Sequence, residues 1–350
     1  MQPETKQSLL VADEAVNIAP RAPTMADLCA RMGTLYTTSR SSFLLPKAGI
    51  TGPYPEKEED FHNQCLESVE FDVRIYTVEP HNVEIVIPET YAKKLEEVRK
   101  LRTDAEQATA CCVDLIAPSH PVDDLQSQLG RHKYRNRLLQ EDVVALLDEL
   151  PDSSYFTRVY LVDWDNPQDV WLRQLYQNDK FVSAASTNKE REVHLYKTEN
   201  NMFVRTNLFH EWAHKFRDDH FQPDELEAFD DSLELEWRVY VPDYYALKSY
   251  GEHFAVLSQE LLHVDGKRFM DAARRAPMRS CVWMRVFKRI LAALPENRRS
   301  IYHQQFLNRC LWVDQNVHII ALELLEKEIK RAGTVRDFLT VKRSAREAAA

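Results

Sequence analysis

Glycine is nearly absent from this chain: seven residues in 350, at positions 33, 49, 52, 130, 251, 266 and 333. A loop that cradles phosphate needs closely spaced glycines, so that backbone amides can approach the ligand. No two of the seven form G-x-G, and none opens a Gly-Lys-Ser/Thr tripeptide. Walker-type and Rossmann-type nucleotide loops are therefore excluded. Apolar residues make up 44 % of the chain, enough for a sizeable core. The formal net charge of −10 argues against nucleic acid as a partner, since general binding needs a basic surface that displaces phosphate counterions.

Residues 1–20 carry acids where a signal peptide has basic residues, and they lack its apolar h-region. Mostly apolar stretches such as 290–294 and 317–325 fall far short of the ~18 residues of a membrane helix. The expectation is a soluble protein without membrane partners, either cytoplasmic or delivered by a non-classical secretion route. The six cysteines (29, 65, 111, 112, 281 and 310) include no C-x-x-C pair, which suits a reducing compartment.

Along the chain, 1–60 read as a poorly ordered region with a short helix at 25–32, and 61–136 as an α/β region. Val69–Val78 and Asn82–Ile87 are rich in β-branched and aromatic residues and predict a strand pair. Pro88-Glu89-Thr90 opens a helix to about Leu115. A zincin-like core is expected over 137–275 and a helical region over 276–350. Apolar spacing predicts a helix at 138–150, strands at 155–164, 181–186 and 192–197, and helices at 200–219 and 250–263. Residues 218–236 hold nine acids and no Lys or Arg. They read as a solvated loop or helix, or as an acidic face that pairs with the basic segment 267–299, in preference to a lining of the substrate cleft that would favour basic peptides. In that basic segment, Val282, Trp283, Val286, Phe287, Ile290 and Leu291 mark an amphipathic helix.

The chemistry lies in the helix at 200–219. Residues 209–216 read F-H-E-W-A-H-K-F, so His210, Glu211 and His214 spell H-E-x-x-H. Positions i and i+4 share one face of a helix, one turn apart, so both imidazoles can reach one ion. Zinc suits neutral imidazole, and a third protein ligand leaves a position open for water. Glu211 sits beside the first ligand, where it can serve as general base.

Two residues compete for the third ligand. His220 has the metzincin spacing, but that pattern needs a glycine turn where this chain has Arg217. Glu252 lies 38 residues after His214 on a following helix and would complete a His₂Glu set. Glu252 is preferred. Glu260 lies two turns further along and is the weaker acid.

L-F-H-E-W-A-H-K-F, D-Y-Y-A-L-K-S-Y-G-E-H-F-A and the lead-in V-A-L-L-D-E-L-P with V-Y-L-V-D-W together resemble the catalytic domain of the anthrax lethal factor-like zinc peptidases. That is a gluzincin-type group, and the likeness covers roughly 137–265. The resemblance implies His210, His214 and Glu252 as zinc ligands and Glu211 as base. It also implies a tyrosine before the third ligand as oxyanion donor: Tyr245 first, then Tyr250 and Tyr244. One position departs from the group's pattern. An acid usually follows the Ala of Glu-x-Phe-Ala, and here Val256 stands in its place. Support for the ligands must then come from elsewhere, or activity is weakened.

The expectation is an α+β, zincin-like zinc metallopeptidase acting on a peptide or protein substrate. The alternatives are a catalytically inactive zincin-like scaffold and a metzincin-type peptidase using His220.

Overall fold

The computed structural model describes residues 36–50, 53–79, 81–112, 127–128, 130–177, 185–188, 190–197, 201–236, 246 and 249–332. The chain is α+β and divides into two units. The first comprises 36–147 and 156–208, and the second 148–155 and 209–332. The segment 137–275, expected as one core, contributes to both.

The first unit is built on a six-stranded mixed sheet. Its strands are β1 (Thr37–Pro46), β2 (Leu66–Val78), β3 (Val83–Pro88), β4 (Arg158–Leu161), β5 (Ala185–Thr187) and β6 (Glu192–Leu195), in the order β1-β2-β3-β4-β6-β5. The expected strand pair is the β2–β3 hairpin, in which Val78 faces Val83 and Asn82 turns through a left-handed φ of 54°. Asn tolerates that conformation better than a branched residue would. β3 reads VEIVIP and is buried almost throughout, as a central strand must be. It pairs antiparallel with β2 on one side and parallel with β4 on the other. β6 runs parallel to β4, and β5 closes the edge antiparallel to β6.

The helices α1 (Glu58–Cys65), α2 (Glu89–Cys112), α3 (Gln140–Glu149) and α4 (Pro167–Tyr176) belong wholly or largely to this unit. α2 packs on β2 and β3. It is tied to the start of α3 by Arg99–Glu141 (2.5 Å) and Arg102–Asp142 (2.9 Å). In α4, Asn166 caps the first turn by accepting from the Gln168 N–H, and Pro167 occupies a position where no N–H is required.

Two elements were not anticipated. β1 falls, and α1 begins, where the sequence suggests irregular chain. β1 reads TTSRSSFLLP and is mostly exposed, so it lacks a buried face that periodicity could reveal. Its ten residues pair in full with β2, from Thr37 opposite Ile75 to Pro46 opposite Leu66. The helix expected at 25–32 lies outside the described residues, as do 181–184 of the expected strand. The strand expected at 155–164 is shorter, because Ser153–Tyr155 form a 3₁₀ turn.

Arg74 of β2 is nearly buried and donates to Glu89 of α2 at 2.6 and 3.0 Å, and also to Glu96. The bonds from Arg74 outweigh burial and hold the Glu89 carboxyl at about 2, below its usual 4.5. A carboxylate depressed in the folded state adds stability above its unfolded value and loses it as pH falls toward the folded one. Glu89→Gln should therefore flatten the acid limb of the unfolding profile between about pH 5 and 2. Urea titrations across that range that keep the wild-type slope would count against the pair.

The second unit is helical. It contains most of α5 (Asn201–His220), then α6 (Pro223–Glu236), α7 (Tyr250–Leu262), α8 (Gly266–Arg275), α9 (Pro277–Ala293), α10 (His303–Trp312) and α11 (His318–Ala332). α9 is central and packs against α6, α8, α10 and α11. Its Trp283, Val286, Phe287 and Leu291 recur at helical spacing and are buried, as the sequence predicts. No helix among the described residues is long and apolar enough to cross a membrane.

Candidate metal centre

The rotation of α5 about its axis is set by its aromatic side. Two residues along a helix is about 200° around it, so Trp212 and Phe216 point away from His210 and His214. Both rings are fully buried and stack at 4.9 Å. Trp212 donates its indole N–H to the Asp152 carbonyl at 3.0 Å. Phe216 meets Trp283 at 5.3 Å and Phe287 at 5.8 Å. With that side anchored, the two histidines emerge together on the other.

α7 presents Glu252 by a related device. Ser249 is extended and caps the helix, its hydroxyl accepting the Glu252 N–H at 3.1 Å. Ser249-x-x-Glu252 is a capping-box pattern, in which the acid would ordinarily reach back to the cap residue. Here its carboxylate goes to the histidines instead. Phe254, two residues on, is fully buried against Phe229 at 5.0 Å and Phe221 at 4.9 Å.

Three donor atoms converge as a result. His210 Nε2 lies 2.9 Å from Glu252 Oε2 and 3.0 Å from His214 Nε2, and His214 Nε2 lies 3.7 Å from the same carboxylate oxygen. Ligands bound tetrahedrally at ~2.0–2.1 Å are about 3.3 Å apart, and the observed separations bracket that value. Two imidazole nitrogens and one carboxylate oxygen form a donor set that suits zinc. Among the described residues, this is the one group of three or more His, Cys, Asp or Glu with donor atoms so close.

The electrostatics agree with a shared polar focus. Burial opposes charge on Glu252, yet the bonds from His210 and His214 outweigh it and hold the carboxyl at about 2. Burial likewise works against protonation of His214, but Glu252 and the charge of Glu211 prevail and raise its pKa. Glu211 is half-buried on the same helix.

His220 is not brought to this group. α5 continues unbroken through Arg217 to His220, as a residue with a β-carbon at 217 suggests. The His220 ring packs on Tyr155 at 5.4 Å and Phe216 at 5.9 Å. This arrangement does not bring His220, the metzincin candidate, to the His210–His214–Glu252 group. Glu260 also points elsewhere, to Arg268 at 2.9 Å. Tyr244 and Tyr245 lie outside the described residues, and Tyr250 is 49 % exposed. Val256 is buried.

One buried cluster was missed from the sequence. Glu236, Arg279 and His253 are 0, 0 and 2 % exposed. Arg279 Nε donates to Glu236 at 2.7 Å, and Arg279 Nη1 also donates to His253 Nε2. Glu236 further accepts the backbone N–H groups of Met278 and Arg279 at the start of α9. Burial and the Arg279 charge push His253 down to about 4, so it stays neutral and accepts, while its ring also bonds to the Ala246 backbone. The cluster therefore ties the first turn of α7 to the end of α6 and the start of α9. Glu225 pairs with Arg289 at 2.8 Å, so two acids of the 218–236 stretch do meet bases of the 267–299 segment.

Comparison of the chain with protein-family models and with curated proteins finds no match.

Proposed function

We propose that this chain is a zinc-dependent metallopeptidase, with His210, His214 and Glu252 as ligands and Glu211 as general base. The observation that carries the reading is the convergence of three zinc-type donor atoms from two helices, with a glutamate next to the first. Bound zinc would supply Lewis acidity and make water a usable nucleophile near neutral pH. Glu211, adjacent to His210, would take the proton from the attacking water and deliver it to the leaving amine. The resemblance to lethal factor-like peptidases supports the same assignment and adds Tyr245 as oxyanion donor. In this reading the core is zincin-like and the substrate is a peptide or protein. A second reading, a metal-holding scaffold without turnover, is favoured by the buried Val256 where that group carries an acid.

The first test is metal content. Wild-type protein purified without added metal should hold about one zinc per chain, and His214→Ala should lose it. No zinc in the wild type, and none taken up on reconstitution, would overturn both readings. Cleavage of a peptide library by the zinc-loaded chain then separates peptidase from scaffold.

A further inference from the structure

A second site lies in the sheet unit and does not depend on the peptidase reading. Ser186 of β5, His194 of β6 and Tyr160 of β4 are register partners across the sheet, so their side chains project to one side. The Tyr160 and His194 rings stack at 4.5 Å with 8° between their planes. Phe43 reaches over from β1 and meets Tyr160 at 5.5 Å and Trp164 at 5.1 Å. These four rings, with Tyr196, line a cavity of about 500 Å³. That is the size range of small-molecule sites.

Among the described residues that line it, Glu192 and Glu58 are acidic and none is lysine or arginine; His62 is a further titratable group at the lining. Glu192 is fixed by the Tyr160 hydroxyl at 3.2 Å and the Asn188 amide at 2.8 Å. Arg158, outside the lining, stands 3.6 Å from Glu192 but is held more closely by Glu84 at 2.6 Å. Glu58 accepts from the Gln168 amide at 2.8 Å and has no ion pair among the described residues. Burial pushes the His194 pKa down, so that ring adds a π-face without a positive charge.

Among the described lining residues an anion would meet no lysine or arginine, and a purely apolar ligand would leave two carboxylates to be desolvated. A cation gains from both features, because ring faces and carboxylates attract positive charge together. We propose that this cavity binds an organic cation, an alkylammonium or guanidinium group such as the end of a lysine or arginine side chain. Its charge would lie against the Tyr160, His194 and Trp164 rings and be directed by Glu192 and Glu58.

Butylguanidinium and its neutral isostere butylurea make a direct probe pair, since neither contains a cleavable peptide bond. Calorimetric titration of the full chain should show saturable binding of butylguanidinium and about tenfold or weaker binding of butylurea. Glu192→Gln should cost a similar factor. Glu58→Gln, at an exposed position, should weaken binding a few-fold while leaving the thermal melt unchanged. Equal binding of the two probes, no saturation with butylguanidinium, or full binding in both Gln variants would overturn the proposal. Metal content and peptide cleavage would be unaffected by any of those failures, so the two sites are judged separately.

Discussion

Glu211→Gln should reduce peptide turnover by about 10²–10⁴-fold while the metal stays bound. Gln keeps the size of the side chain and most of its hydrogen bonding, but its amide cannot accept a proton at neutral pH. The change is also confined to a half-buried side chain on a helix whose packing rests on Trp212 and Phe216. The check is kcat on a cleavable peptide together with zinc per chain in the same preparation. Retained zinc with lost turnover assigns the proton transfer to Glu211. Undiminished turnover removes it from that role.

The largest stability effect is expected at Arg279. Its guanidinium is fully buried, and it is the ion-pair partner of an equally buried Glu236. Removing one member of such a pair leaves an uncompensated charge and typically costs about 3–5 kcal/mol. Arg279→Met should lower the urea midpoint accordingly. The double variant Arg279→Met with Glu236→Leu should recover much of the loss, because replacing both partners by apolar groups removes the desolvation penalty. A single-variant loss below about 1 kcal/mol would mean that Glu236 is neutral or solvated without its partner. His253 also loses its donor in this variant, so part of the change should appear at the start of α7.

Local signals in the sequence account for much of the architecture. The β2–β3 hairpin, α2, α3, α5, α7 and α9 stand where periodicity and turn residues place them, because each buries a regular stripe of its own. The same holds for the pairing of His210 with His214, which is fixed by one helical turn. Glu252 could be singled out because it lies 38 residues after His214 on a following helix, where a carboxylate completes a His₂Glu set. What stayed hidden depends on partners distant in sequence. β1 has almost no buried side chains, and only its pairing with β2 makes it a strand. Glu236 looked like one more acid in an exposed run, yet its partner Arg279 lies 43 residues later and both are buried. The aromatic cavity draws Phe43 and Tyr160 from strands more than a hundred residues apart. The Ser249-x-x-Glu252 pattern was the one overlooked signal that was local, and it marks the turn that delivers the carboxylate.

The donors on α5 and α7 have a mechanical meaning beyond chemistry. Two sit on one helix and the third on another, 42 residues from His210 in sequence. An ion that takes all three closes that span as a cross-link would, and it binds the native arrangement far better than the unfolded chain. Its binding energy then counts toward folding. Chelators would act on such a protein as denaturants as well as inhibitors, and metal supply would set how long the chain survives proteolysis as well as how fast it works.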